Sequence, residues 1–360
     1  MEFNDLKKVY EGKRVFLTGH TGFKGAWMTS ILKELGAEVK GYSLPPIEHN
    51  ALFHEVRAEL FCDSVIADVR NREKVEREII KFKPDFIFHM AAQALVLESY
   101  KNPIETFQTN VMGTLHILDS LRLLEHPCKT IIITTDKVYE NFEKEAPYKE
   151  DERIGGYDPY SNSKACCELV TSSYRNSFFH PDKFETHSQS IASVRSGNVI
   201  GGGDWSENRI IPDLARSLFN NEMLILRNPD SVRPWQHVLD PLHGYLTLGA
   251  KMNEDPVRYA DAFNFGPKME DRLTVEDLVK TAIGIWGNGN YKVAHNPNKP
   301  HEANLLRLDI EKAKTELDWE PKFDSQKAIE FTIEWYKASF DKQNIKDFTL
   351  SQIKDYYGIS

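Results

Sequence analysis

The stretch FLTGHTGFKGAW, residues 16–27, decides the fold. Glycines at 19, 22 and 25 follow an apolar run and precede a helical one, with the spacing G-x-x-G-x-x-G. A buried strand that turns through glycines into a helix brings bare backbone N–H groups close to a bound diphosphate. The positive end of the helix dipole then faces the same anion. Gly25 further allows close packing of the helix on the strand. The spacing is one residue wider than the G-x-G-x-x-G of the simplest dinucleotide loops.

The segments around this loop repeat its strand–helix rhythm. RVFLTG (14–19) reads as a buried strand and GAWMTSILKELG (25–36) as a helix closed by glycine. EVKGYSL (38–44), the helical REKVEREIIKFK (72–83) and the strand DFIFHMAA (85–92) follow. FQTNVMGTLHILDSLRLL (107–124) predicts one long helix, KTIIITTD (129–136) a strand, and IASVRSGNVIGGGDW (191–205) a strand entering a glycine-rich loop. Short apolar strands separated by helices indicate a parallel sheet covered on both faces. The predicted class is therefore α/β: a Rossmann-type, doubly wound parallel sheet with a smaller C-terminal substrate-binding lobe. Residues 1–190 are expected to form the dinucleotide-binding domain, with later segments returning to it, and 191–360 mainly the second lobe.

Bulk properties exclude other classes. With 360 residues, 41% hydrophobic and 28% charged, the chain can bury a large core. A net charge of −9 argues against a nucleic-acid partner. No apolar run approaches the roughly 20 residues that span a bilayer. The N-terminus MEFNDLKKVYEGKRVF has no apolar signal core, so a cytoplasmic, non-membrane protein is expected. The four cysteines, Cys62, Cys128, Cys166 and Cys167, include no C-x-x-C pair; neither a disulfide framework nor a metal site is expected.

YDPYSNSKACCELV holds Tyr160 and Lys164 four residues apart, on one face of a helix. A phenol with a pKa of about 10 becomes a base near neutrality only beside positive charge. Together with Thr18-Gly19-His20-Thr21-Gly22-Phe23-Lys24-Gly25, this pair resembles the extended short-chain dehydrogenase/reductase family, whose loop reads T-G-x-x-G-x-x-G. The resemblance implies a bound NAD held by Gly19, Thr21, Gly22, Phe23, Lys24 and Gly25. Asp68 and Val69 would lie near the adenine, and Ala91, Ala92, Gln93 and Asn110 would line the cofactor with Tyr160 and Lys164. No acid follows the second strand, where Tyr42 and Ser43 stand, so that position does not separate NAD from NADP.

Within the family, TTDKVYEN (134–141) is the discriminating segment. By resemblance Thr135 bridges substrate and tyrosine, and Asp136 holds the place of the acid that protonates a departing C6 hydroxyl in nucleotide-sugar 4,6-dehydratases. An epimerase needs no such acid. The order Thr-Asp-Lys, with Lys137 third, is similar to the CDP-glucose 4,6-dehydratases rather than to the Thr-Asp-Glu of the dTDP-glucose enzymes. FHMAAQALV, VRSGNVIGGGDW, RNPDSVRPWQHVLDPLHGYL and HEANLLRLD extend that likeness over nearly the whole chain. It implies CDP-glucose as substrate, gripped by Gln93, Arg195, Asn198, Arg227, Arg233 and His301. Lys137 is left as either the C5 base or an electrostatic stabiliser. A homodimer or homotetramer is implied through the helices near 107–124 and 160–178, whose apolar faces would also suit two buried domain helices.

Overall fold

The computed structural model describes residues 1–226, 228–233, 235–294 and 305–359. Its centre is a seven-stranded sheet of β1 (Arg14–Thr18), β2 (Glu38–Ser43), β3 (Asp63–Ile66), β4 (Phe86–His89), β5 (Cys128–Ile133), β6 (Gln189–Ser196) and β7 (Ala262–Phe265), in the order β7-β6-β5-β4-β1-β2-β3. Every neighbouring pair is parallel. The order reverses between β1 and β4, and open sheets of this kind bind ligands beyond the strand ends at such a reversal.

Two apolar layers explain why these segments are strands. Val15, Leu17, Phe86, Phe88, Ile131, Ile133, Ala192 and Val194 point into one core, while Phe16, Ile87, Ile132 and Ile191 point into the other. Alternate residues thus meet opposite helix layers, which is why the sequence shows continuous apolar runs. Burial of each such side chain contributes roughly 1.5–3 kcal/mol. The edge strand β3 has two exposed and two half-buried residues, so it left no comparable run to read.

The principal helices are α1 (Phe3–Tyr10), α2 (Phe23–Glu34), α3 (Arg72–Phe82), α4 (Gly113–Ser120), α5 (Pro159–Ser177), α6 (Ile210–Asn220), α7 (Leu239–Glu254), α8 (Ser325–Phe340) and α9 (Ile345–Tyr357). α2 begins two residues before the predicted start, with Gly22 as its N-cap. The single helix predicted over 107–124 is instead a π-type turn at Gln108–Met112, then α4, then a 3₁₀ turn at Leu121–Leu123. The π turn directs the Asn110 side chain inward, onto Gln93 and Ser163. Beyond β6 the chain forms two-stranded ladders, such as Val199–Ile200 with Gln236–His237 and Val232–Arg233 with Leu273–Thr274. Among the described residues, no helix is long and apolar enough to cross a membrane.

Candidate active site

The glycine loop is built to bring backbone close to backbone. Gly19 has φ +77°, and a Cβ there would lie 2.8 Å from the Ala91 nitrogen. A Cβ on Gly25 would lie 2.0 Å from the Gly19 carbonyl oxygen. Gly22 differs: it is exposed, it caps α2 without a side-chain cap hydrogen bond, and a Cβ would meet only the Gly19 oxygen at 3.4 Å. The first N–H groups of α2 therefore face open space beside a residue with no side chain, and this cradle fits the pyrophosphate of a dinucleotide.

Residues around the cradle hold it in place. The Thr18 hydroxyl accepts from the Met90 and Ala91 amides at 3.1 and 3.0 Å, joining the ends of β1 and β4. Thr21 donates to the Leu44 carbonyl and contacts the Ser43 hydroxyl, each at 2.8 Å, so its oxygen is engaged by the end of β2. Phe23 reaches across to Gly201, and Ala91 and Ala92 are half-buried beyond β4. The Asp68 carboxylate is held by Arg70, and its carbonyl accepts from the Tyr42 hydroxyl. Val69 accepts from His116 and packs on Gly113. Gln93 commits its side chain to Leu95 and Thr106. Asn110, 1% exposed, accepts from the Gln93 amide and donates to the Gln93 carbonyl and the Ser163 hydroxyl, which fixes the loop after β4.

The reactive residues converge at the end of β5. The Thr135 hydroxyl donates to Asp136 Oδ1 at 2.9 Å, and the two side chains are 5% and 3% exposed. Asp158 caps α5 by accepting from the Ser161 amide, which sets the first turn of the helix that carries Tyr160 and Lys164. Burial pushes the Tyr160 phenol up to about 12, against the Thr135 hydroxyl and the Arg209 charge that pull it down. Lys164 donates to the Ile133 carbonyl at 2.9 Å, and burial lowers its ammonium. Lys137 is half-buried, with its amide 3.4 Å from the Thr135 hydroxyl.

Lys24 also turns into this site. Its ammonium donates to Ser196 at 3.4 Å, and burial draws it down to about 7, helped by Arg209 and Lys164 and opposed by Asp136. Lys24, Lys164 and Arg209 thus gather positive charge around the Asp136 and Tyr160 side chains, suited to an anionic ligand.

Three residues of this neighbourhood were not read from the sequence. Arg209 bonds Asp204 at 3.0 Å and approaches the Ala94 carbonyl at 3.4 Å, with its charge on Tyr160. Gly197 lies directly on Asp136: a Cβ there would be 1.9 Å from Oδ2. Glu168 stands one turn beyond Lys164 on α5. Only Glu168 had a local signal, the continued spacing of four along one helix face.

The expected nucleotide ligands separate. Arg195 is a correction: it is 3% exposed, its guanidinium pairs with Glu168 at 3.1 Å and donates to Tyr139 and the Glu150 carbonyl, so it is a structural ion pair inside the sheet. Asn198 is half-buried with φ +50°, next to Gly197, and Arg233 lies half-buried on the short strand paired with Leu273–Thr274. Arg227 and His301 lie outside the described residues. Among the described residues, no group of three or more His, Cys, Asp or Glu side chains is placed to hold a metal ion.

Comparison with known proteins agrees with this geometry. The family model for GDP-mannose 4,6 dehydratase matches residues 16–332. The chain is 46% identical to the CDP-glucose 4,6-dehydratase of Salmonella typhimurium over 350 residues, 97% of this chain and 98% of that protein. It is 25% identical to the CDP-paratose 2-epimerase of Salmonella typhi, over 89% of this chain and 98% of that one. Among solved structures, the dTDP-glucose 4,6-dehydratase DesIV of Streptomyces venezuelae, with NAD bound, superimposes with a TM-score of 0.77 at 22% identity, covering 92% of this chain and 98% of that chain; it shows the shared fold. From the matched family model and the near full-length relative, the chain belongs to the nucleotide-sugar 4,6-dehydratases of the extended short-chain dehydrogenase/reductase family.

Proposed function

We propose that this protein converts CDP-glucose to CDP-4-keto-6-deoxyglucose and water, with a bound NAD that is regenerated in each cycle. The observation that carries this reading is the buried Asp136 carboxylate, bonded to the Thr135 hydroxyl that also meets Tyr160. An acid beside the proton-transfer pair is what loss of a hydroxyl requires and a simple epimerisation does not. NAD would rest on Gly22 and the start of α2, with Lys164 at its ribose; when bound it accepts hydride from C4 and returns it to C6. In this reading residues 1–190, with β7, hold NAD and 191–360 mainly the nucleotide-sugar.

The chain's own groups do the proton work. Tyr160 takes the O4 proton; its phenol, raised by burial and lowered by the Arg209 charge, depends on further positive charge, which Lys164 and the bound cofactor would add. The C4 ketone then acidifies the C5 hydrogen. Lys137 stands at C5, either as the neutral base that takes the C5 proton or as the cation beside the enolate, the C5 proton then passing to water; Asp136 in its protonated form gives its proton to the C6 hydroxyl, which departs as water. Arg233 and Asn198 are assigned to the nucleotide-sugar.

The same reading takes the protein as a cytoplasmic homodimer or homotetramer. In support, Met112, Leu123, Leu169 and Phe178 are exposed apolar side chains on the segments expected to pair.

The test is incubation of the purified protein with CDP-, dTDP-, UDP- and GDP-glucose, followed by mass. Loss of one water from CDP-glucose without accumulation of NADH is expected. Unchanged mass with inverted configuration, or preference for another nucleotide, overturns the assignment.

A further inference from the structure

α5 grips the catalytic end of β5 at two successive residues. Lys164 donates to the Ile133 carbonyl at 2.9 Å, and one turn later Glu168 accepts from the Thr134 hydroxyl at 2.5 Å. Thr134 immediately precedes Thr135 and Asp136. Glu168 also accepts from Ser193 at 2.7 Å and Arg195 at 3.1 Å, both on β6, so one carboxylate joins α5, β5 and β6. It is 4% exposed and Arg195 is 3% exposed.

We propose that Glu168 is a positioning residue for the reaction: its carboxylate fixes the register of the Tyr160–Lys164 helix against Thr135 and Asp136, and its charge holds Lys164 as an ammonium. The inference rests on the dehydratase reading for its rate measurement, but not for its titration.

The charges facing Lys164 make the second role necessary. Cys167 and Glu168 face it from its own helix, Lys24 from α2 and His89 from β4. Burial and Lys164 together draw the His89 imidazole down to about 3, so it is neutral, and Lys24 is a second cation. Cys167 is a buried thiol whose value burial raises, so it carries no charge near neutrality. Glu168 is then the one anion acting on the Lys164 ammonium from these elements. Burial alone would raise the Glu168 carboxyl, but Arg195 with the Thr134 and Ser193 hydroxyls holds it below its ordinary range, so the charge persists. Cβ atoms four apart on a helix lie about 6 Å apart, which sets a lower scale for the separation of the two charged ends. At an effective dielectric constant near 20, one unit charge at that distance is worth about two pH units.

The sign follows directly. Without the Glu168 charge Lys164 deprotonates at lower pH, so the alkaline limb of the kcat profile moves down, by up to about two pH units. Glu168→Gln keeps the shape but leaves Arg195 buried and unpaired, so it is compared with Glu168→Gln, Arg195→Met, in which loss of the Arg195 charge as well makes the downward shift smaller than in the single variant. The kcat profile of each NAD-loaded variant is measured with CDP-glucose. The Tyr160 phenolate onset is measured without substrate, as the ultraviolet difference from Tyr160→Phe. A lowered alkaline limb and a raised phenolate onset in the double variant, with its melting temperature near wild type, are expected. A double variant with the wild-type profile and onset means that Glu168 only neutralises Arg195, and overturns the proposal. Wild-type protein inert toward CDP-glucose would refute the dehydratase reading alone, because the phenolate titration still reports on Glu168.

Discussion

Replacing Gly197 by alanine should uncouple dehydration from oxidation. The added Cβ would stand 1.9 Å from Asp136 Oδ2, 2.1 Å from Cγ and 2.5 Å from Oδ1. Ordinary non-bonded contact is about 3.5 Å, so the carboxylate must retreat by about 1.5 Å or the loop must yield. The loop is held, since the Gly197 carbonyl accepts from Gln236 at 2.9 Å, and Asp136 is the softer partner because, among the described residues, only the Thr135 hydroxyl is hydrogen-bonded to its side chain. A displacement near 1 Å costs a positioned catalytic group about 10²-fold in rate. Overpacking of this size costs about 1–3 kcal/mol of stability, so the variant should still fold. Lys164 keeps its bond to the Ile133 carbonyl and Tyr160 its contact with Thr135, so C4 oxidation should persist while water loss falls by about 10²-fold. The assay is single-turnover mixing with CDP-glucose, following the reduced nicotinamide by absorbance and the product by mass. Build-up of enzyme-bound NADH without dehydrated product is the expected signature. Wild-type turnover, or equal loss of both half-reactions, would refute the placement of Asp136 as the acid for water loss.

The other expectations are simpler to state. Gly22→Ala should fold normally, because its Cβ makes only an ordinary 3.4 Å contact with the Gly19 oxygen, yet bind NAD at least about tenfold more weakly by cofactor titration, whereas Gly25→Ala should lower the melting temperature through its 2.0 Å clash with Gly19. Asp240, buried on α7 and bonded by the Tyr356 hydroxyl of α9, is raised by burial to about 7. Its folded value exceeds its unfolded one, so the cost of ionising it grows as pH rises from about 4 to 7, up to about 4 kcal/mol. Asp240→Asn should therefore raise the melting temperature at pH 8 more than at pH 5, and equal shifts would count against this burial. Leu169→Glu, at a side chain 60% exposed on α5, should reduce the sedimenting mass to that of a 41.4 kDa monomer if α5 forms the subunit interface.

What the sequence made legible was what lies close along the chain. The glycine loop, the pair Tyr160 and Lys164 on one helix face, and Thr135-Asp136 at a strand end each carry their geometry in their spacing. β1, β2, β4, β5 and α3 were readable because buried parallel strands and amphipathic helices print their period directly. The break in the helix at 107–124 was not, because it exists to let Asn110 bond Gln93 and Ser163, 17 and 53 residues away. The glycine within β2 likewise has a remote cause: a Cβ on Gly41 would lie 2.3 Å from the His20 ring, which is wedged against the strand and bonded to Ser64.

Arg195 shows where reading by motif fails. An arginine in a segment that resembles a nucleotide grip is chemically competent to hold phosphate, and nothing within ten residues contradicts that role. Its fate is decided by Glu168, 27 residues earlier, and by the β5–β6 register that sets Ile133 beside Val194. A buried carboxylate four residues past Lys164 requires a cation or a dense set of donors, and β6 delivers Arg195 with Ser193 while β5 delivers Thr134. On the proposed reading, the period of four on α5 serves three tasks in turn: Tyr160 for the proton, Lys164 for the charge, and Glu168 for holding that charge against the catalytic strand. If that ordering is right, a related chain that loses the acid at the third position should also lose the arginine on the facing strand, since either charge alone would stand unpaired inside the sheet.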